Sequence, residues 1–293
     1  MRAIQWRRNG PAREVLELVD LPDPQPARGE VVVRIHASGV NPHDTKGRAG
    51  WRGVVHQGGP MIPHSDGAGV ITAVGEGVPR TRINERVWIF GARHGQGTCR
   101  EIMALPASHA VALPPDAGMI QGASLGVPCL TAHLALFSDG PIGGKAVLIH
   151  GGAGAAEVLD YRDPDCAARI LSLTGGRGVD RIIEVDFGAN QALDGQVIAP
   201  HGVIAAYSST REPKPVLDYY VFAKKAVTLR FVQATLIHGP ALEEAVLATS
   251  RAVAEGWMRL PVAGVYPFDG AAEAHEALEA GPAGKIVVQL GPD

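Results

Sequence analysis

The chain has 293 residues, 46% of them hydrophobic and 19% charged, with a formal net charge of −3. That composition excludes wholesale disorder, leaves no basic field to hold nucleic acid, and gives length enough for two domains. No apolar run approaches the roughly 18 residues that span a bilayer. Residues 1–6 (MRAIQW) carry no signal-peptide core, so a cytoplasmic protein away from the membrane is expected. Cys99, Cys129 and Cys166 are odd in number and far apart, which points to reduced thiols.

In chain order, Pro22, Pro24 and Pro26 mark an extended connector. Residues 30–35, 69–74 and 85–90 are short apolar runs and read as buried strands. The opening region is thus a β-rich, barrel-like domain. The texture changes near Ala117. Residues 122–136 have helical spacing, and the runs 145–150, 179–185, 202–207 and 227–231 then alternate with helical patterns. Short β-branched runs separated by helices predict a parallel sheet covered on both faces. Residues 240–257 read as a helix. Residues 284–290 read as a closing strand whose pattern matches the opening domain. The domain boundaries predicted are 1–120 with 258–293 for the β-rich part and 121–257 for the α/β part.

The run 146–150 passes directly into Gly151, Gly152, Ala153, Gly154 and Ala155. Small residues there let a pyrophosphate approach the backbone, and a helix starting at that point aims its N–H groups at the phosphates. An ordinary tight turn is the other reading. A dinucleotide site next needs a helix, then a second strand that meets the adenosine ribose. Residues 155–161 (AAEVLDY) instead look like the next strand. Two parallel strands need a crossover of about a dozen residues. Either the two runs form a hairpin, or a helix–strand–helix segment is absent near residues 154–157.

Several motifs occur in a fixed order: residues 39–46 (GVNPHDTK), 63–70 (PHSDGAGV), 74–78 (VGEGV), 126–132 (GVPCLTA), 150–155 (HGGAGA), 173–180 (LTGGRGVD) and 284–285 (GK). With them the chain resembles, from end to end, the zinc-free quinone-reductase branch of the medium-chain dehydrogenase/reductase superfamily. The resemblance implies an α/β protein. A GroES-like β-rich substrate domain is formed by both chain ends, and a Rossmann-type doubly wound parallel sheet lies between them. It also implies NADPH as cofactor, and a homodimer formed where strand 227–231 lies at the sheet edge. The positions that hold catalytic zinc in zinc-dependent relatives are Asn41, Ser65 and Val127 here, none a good ligand. The four closely spaced cysteines of a structural zinc lobe are missing, so no metal is expected.

Members of this branch continue the glycine loop through a helix, a second strand and another helix. Their sheet order is 3-2-1-4-5-6. Relative to that pattern about 35 residues are missing near Ala155 and Ala156, as one βα unit plus a helix requires. The missing strand is number 2, which leaves a third strand at residues 158–161 facing a slot about 4.8 Å wide. We expect the natural enzyme to contain the segment, with a Cα–Cα distance at 154–157 far beyond the ~3.8 Å of a peptide link. Continuous geometry there means a true deletion with a rebuilt sheet.

The resemblance implies catalytic roles for Asn41, Asp44, Lys46 and Ser65. Asn41 and Asp44 line the nicotinamide and substrate region in relatives, although Asn-Pro and Asp also make capped turns. Lys46 stands where many relatives carry Tyr, which removes the proton donor of that position. Ser65 and Asp66 replace metal-site residues and can hydrogen-bond substrate. The cofactor side comprises Thr131, the loop Gly151, Gly152, Ala153, Gly154 and Ala155, the strand ends Val185, Asp186 and Phe187, then Tyr207, Ser208 and Ser209, and finally Phe231, Val232 and Lys285. A solvated Lys285 at a strand start is the alternative. The NADPH preference comes from the resemblance alone, since the discriminating residue belongs to the absent strand. The expected reaction is zinc-independent hydride transfer from NADPH to a quinone. Reduction of an enone (alkenal/one) double bond stays open, as does a non-catalytic member if the segment is truly deleted.

Overall fold

The computed structural model describes residues 1–293 except 54, 57, 93–95 and 152–154. The strands in chain order are β1 (Arg2–Gln5), β2 (Glu17–Asp20), β3 (Glu30–Val40), β4 (Asp66–Val74), β5 (Arg86–Ile89), β6 (Ile102–Pro106), β7 (Ala110–Ala112), β8 (Val147–Ile149), β9 (Val179–Glu184), β10 (Ile198–Ala206), β11 (Thr228–Phe231), β12 (Val262–Pro267) and β13 (Lys285–Gln289). The helices are α1 (Ala12–Val15), α2 (Pro42–Ala49), α3 (Met119–Gly122), α4 (Gly126–Phe137), α5 (Cys166–Leu173), α6 (Phe187–Val197), α7 (Tyr219–Ala223), α8 (Gly239–Ala254) and α9 (Ala271–Glu279). The chain divides into two compact units, Met1–Leu130 with His238–Asp293, and Thr131–Ile237.

The first unit is built on a sheet of order β12-β13-β3-β4-β5-β7, with β6 also paired to β3. Val31, Val33 and Ile35 alternate along β3 and meet Ile71, Val87, Ile89, Met103 and Leu105 in one buried cluster. β-Branched side chains are stiff and pack well on a pleated face, so this alternation selects the strand. The closing strand β13 runs antiparallel to β3, with Val287 opposite Gly39. The chain therefore returns to its opening domain, as its pattern predicts. A Cβ at Gly39 would lie 2.0 Å from the carbonyl oxygen of Ala123, so only glycine lets these backbones meet. The helix expected over 240–257 forms as α8. It belongs with the first unit rather than with the second as the predicted boundary had it. A contact of that kind is Ser250, whose hydroxyl oxygen accepts the Trp88 indole N–H at 3.4 Å.

The second unit is a parallel sheet of order β11-β10-β9-β8. Ile182 and Ile204 face one cluster with Ile170, Phe187 and Val197. Their neighbours Ile183 and Ala205 face another with Ala135 and Val232. Apolar side chains on both faces require cover on both, which is the doubly wound arrangement. β11 is one edge of this sheet, as expected for 227–231, and β8 is the other.

The strand predicted at 158–161 does not form. Residues 155–165 hold no strand or helix. Turn chemistry wins there: Asp160 Oδ1 accepts the Arg162 backbone N–H at 3.0 Å, Asp163 Oδ1 accepts that of Asp165 at 2.9 Å, and Pro164 lies between. Leu159 alone packs into the core cluster. The geometry that distinguishes a missing segment from a true deletion falls at residues 154–157. Gly152, Ala153 and Gly154, and with them the geometry at the start of 154–157, lie outside the described residues.

Candidate functional site

β3 delivers Asn41 to the start of α2, where Pro42 suits the first helical turn. The backbone N–H of Asn41 donates to Asp44 Oδ2 at 2.8 Å. The capped-turn reading therefore holds for Asp44, and it leaves the Asn41 amide free for longer-range contacts. Asn41 Nδ2 donates to Asp66 Oδ2 at 2.8 Å, and Asn41 Oδ1 accepts from Lys285 Nζ at 2.6 Å. Lys285 Nζ also lies 3.0 Å from Asp66 Oδ2, and the backbone N–H of Val127 donates to Asp66 Oδ1 at 2.9 Å. Asp66 is fully buried, and the Lys285 side chain is 7% exposed. A buried ion pair holds only when its remaining hydrogen-bonding atoms are satisfied, and here Asn41 and Val127 satisfy them. The solvated reading of Lys285 is thereby overturned. The side chain lies inside, pulled in by a carboxylate 219 positions away.

Ser65 and Asp44 meet at His43. The His43 Nε2 is 2.9 Å from Ser65 Oγ and 3.2 Å from Asp44 Oδ1. The imidazole is 43% exposed and the carboxylate 7%. Burial pulls His43 down, but the Asp44 carboxylate outweighs it and holds the imidazole above its ordinary value. Burial works against Asp44 in turn, yet His43 and the Asn41 N–H hold its carboxyl well below the usual carboxylate range. Lys46, expected among the catalytic residues, does not join this group. Its ammonium lies 4.7 Å from the centre of the Trp51 ring, a cation–π contact.

A third chain, buried except at Glu279, runs behind. Arg48 Nε donates to His275 Nδ1 at 3.3 Å, and the Arg48 guanidinium pairs with Glu279. His275 must then carry its proton on Nε2, which donates to His64 Nε2 at 3.0 Å. His64 Nδ1–H in turn meets Ser38 Oγ at 2.8 Å, and Ser38 contacts Thr98 at 2.7 Å. Burial depresses His64 to about 4 and His275, with His64 beside it, to about 3, so both rings are neutral. His64 and His275 thus fix the loop carrying Ser65 and Asp66.

In the second unit, the expected cofactor residues gather at the carboxyl ends of β9, β10 and β11. Tyr207 N–H donates to the Glu184 carbonyl at 3.0 Å and Phe187 N–H to that of Ser208 at 3.1 Å. Asp186 Oδ1 accepts Thr210 N–H at 2.7 Å, its carboxylate pairs with Arg211, and Ser209 Oγ accepts Gly188 N–H at 3.0 Å. Val232 N–H donates to the Ala206 carbonyl at 2.8 Å. Val185 lies between Glu184 and Asp186 in this group, and Thr131 opens the unit on α4. Gly151 ends the β8 turn with φ 75° and Ala155 is exposed. The rest of the glycine loop lies outside the described residues.

One cluster escaped the sequence reading. His150 Nε2 lies 2.8 Å from Asp194 Oδ1 and 3.1 Å from Glu184 Oε2, both carboxylates being fully buried. Burial and Asp194 push Glu184 up to about 7, while the two acids raise His150 against its own desolvation. Glu184 Oε2 and Asp194 Oδ2 have no hydrogen-bond partner. The raised acid favours folding below the unfolded-state value, and that contribution is lost as pH climbs through about 7. Glu184→Gln keeps an acceptor for the Asp186 N–H and does not ionise beside Asp194. It should gain about 1–2 kcal/mol over the parent at pH 8 and lose the parent's decline between pH 5 and 8 in urea unfolding. An unchanged slope would refute the assignment.

The comparisons fit this frame. A model of the alcohol dehydrogenase GroES-like domain matches residues 27–123, and a zinc-binding dehydrogenase model matches residues 153–288. The quinone oxidoreductases of Sus scrofa and Homo sapiens are each 28% identical, and the alignments cover 99% of this chain and 98% of each relative. The native structure of a mycobacterial quinone oxidoreductase matches with a TM-score of 0.85 and 27% identity, over 99% of this chain and 100% of that one. The chain belongs to the zinc-free quinone oxidoreductase branch of the medium-chain dehydrogenase/reductase superfamily.

Within this branch of the superfamily the chain is short. The alignment to the Sus scrofa protein runs over 333 positions against 293 residues here, so at least 40 positions face gaps in this chain. In the sheet order of the superfamily, β8, β9, β10 and β11 stand as strands 1, 4, 5 and 6. Among the described residues neither strand 2 nor strand 3 has a counterpart. The positions of the superfamily's zinc ligands are otherwise engaged: Asn41 and Val127 hold Asp66, and Ser65 holds His43.

Proposed function

We propose that the chain is an oxidoreductase that reduces a quinone with hydride from a reduced nicotinamide nucleotide, NADPH being the donor named by the resemblance. The observation that carries this reading is the half-exposed His43, held by Asp44 and Ser65 beside the buried Asn41–Asp66–Lys285 network. The relatives' names supply the reaction class, and a mycobacterial structure complexed with NADPH, of TM-score 0.84 and 27% identity, supports the cofactor class.

The carboxyl ends of parallel strands are where open α/β sheets bind ligands. Tyr207 and Phe231 present rings there that are 40% and 79% exposed, an apolar surface that suits a nicotinamide. Val185, Phe187, Tyr207, Ser208, Phe231 and Val232 would hold that half of the cofactor, with Thr131. When bound, a reduced nicotinamide supplies the hydride. A quinone that takes up a hydride and one proton becomes the hydroquinone. His43 holds that proton on Nε2, Asp44 keeps the ring charged, and Ser65 Oγ at 2.9 Å orients the N–H or relays it to the substrate oxygen. Exposure of the ring lets solvent reprotonate it. Asn41, Asp66 and Lys285 hold the β3–β13 junction on which this group sits.

The deleted positions favour one rival, a non-catalytic binder. Oxidation of the nucleotide, followed by its absorbance with a small quinone and then with an enone, tests both. Turnover with the quinone is expected to exceed that with the enone at least tenfold, and to survive dialysis against a metal chelator. Faster turnover of the enone would reassign the substrate, and neither turnover nor nucleotide binding by calorimetry would leave the binder. Among the described residues no helix is long and apolar enough to cross a membrane. The free edge of β11 supports a homodimer, and a cytoplasmic location completes the proposal.

A further inference from the structure

The dinucleotide fit fails at one end. Between Ile149 of β8 and Cys166 of α5 lie 16 residues. A crossover of about a dozen residues or more followed by a strand of about 5–6 exceeds that, and the described part of this connection holds neither. Among the described residues β8 ends the sheet, so the strand whose tip reads the adenosine ribose in this architecture is absent from its side.

The surface left beside β8 does not replace it. Val158 and Tyr161 are 69% and 62% exposed. A cavity of about 400 Å³ lies against the strand, with Leu148, Ile149, Leu159, Ile170 and Leu193 in its wall. Neither Arg nor Lys lines it, and Glu157 does. Its one basic group, His150, is held by Asp194 and Glu184. The nearby guanidinium groups of the same unit are paired as well, Arg162 with Asp160, Arg169 with Asp163, and Arg211 with Asp186. A 2′-phosphate needs a charged fork, and an apolar wall with a carboxylate repels one.

We infer that the chain takes its hydride donor by the nicotinamide half alone, so that the donor class is any reduced nicotinamide ribotide, with or without adenosine. The inference rests on the proposed oxidoreductase activity. A charge-assisted hydrogen bond contributes about 1.5–3 kcal/mol, or roughly 10- to 150-fold, to discrimination where it exists. Among the described residues no Arg or Lys lines the cavity beside β8 to give the adenosine ribose such a bond.

The test uses the full chain with one quinone and three donors: NADPH, NADH and reduced nicotinamide mononucleotide. The same three are titrated by calorimetry, with 2′,5′-ADP as competitor. The values of kcat/KM and the affinities should agree within about threefold across the three donors, and 2′,5′-ADP should not compete at millimolar concentration. A tenfold or greater preference for NADPH, in turnover or in binding, overturns the inference and leaves the oxidoreductase reading standing. So does competition by 2′,5′-ADP. Absence of both turnover and binding with every donor overturns the two together.

Discussion

Asp66→Ala is expected to lower the stability of the chain by about 3–5 kcal/mol, read as the urea-unfolding free energy at pH 7. The carboxylate is fully buried and accepts from three sources, Asn41 Nδ2, the Val127 N–H and Lys285 Nζ. Removing it strands an ammonium whose side chain is 7% exposed, and an unpaired buried charge costs far more than the net worth of the pair. The double variant Asp66→Asn with Lys285→Met keeps an acceptor for Val127 and takes the stranded charge away. It should recover most of the loss. A cost below about 1 kcal/mol for Asp66→Ala would show that the pair is not closed as described.

His43→Gln is expected to lower kcat/KM for the quinone about 100-fold while leaving the urea midpoint unchanged, since the ring is 43% exposed. The pH profile carries the sharper sign. Asp44 holds the imidazole above its ordinary value, so the acid form persists to higher pH than in a free imidazole and activity declines as pH rises through that raised value. Asp44→Asn removes the charge that raises His43 and leaves burial, which lowers it. The declining limb should therefore move to lower pH in Asp44→Asn and vanish in His43→Gln. A parental profile in His43→Gln would place the proton elsewhere.

His43 carries no signal in the linear string beyond its place in the motif, whereas Lys46, three residues along the same helix, stands where relatives carry Tyr. The motif GVNPHDTK reads as a capped turn, and the structure continues that turn into α2. Which side chain of that turn reaches Ser65 depends on β4, which starts one residue after Ser65 and pairs with β3 from Val31 to Gly39. Residues 158–161 show the opposite failure. Their short apolar run reads as a strand, but a strand needs a neighbour to satisfy its backbone groups, and the crossover that would bring them beside β8 is too short. Asp160, Asp163 and Pro164 then decide for turns.

What the sequence by itself determined was whatever depends on neighbouring residues. The apolar runs became β3, β4, β5, β9, β10, β11 and β13, Asn41-Pro42 made a capped turn, and the run of motifs placed the chain in its superfamily. Hydrophobic periodicity and turn chemistry act over a few positions and are written there. Tertiary structure alone decided the pairs that close over long separations. Lys285 meets Asp66 across 219 positions and His64 meets His275 across 211. A buried charge can be recognised only when its partner is in view, because burial without a partner and exposure to water look alike in a linear string.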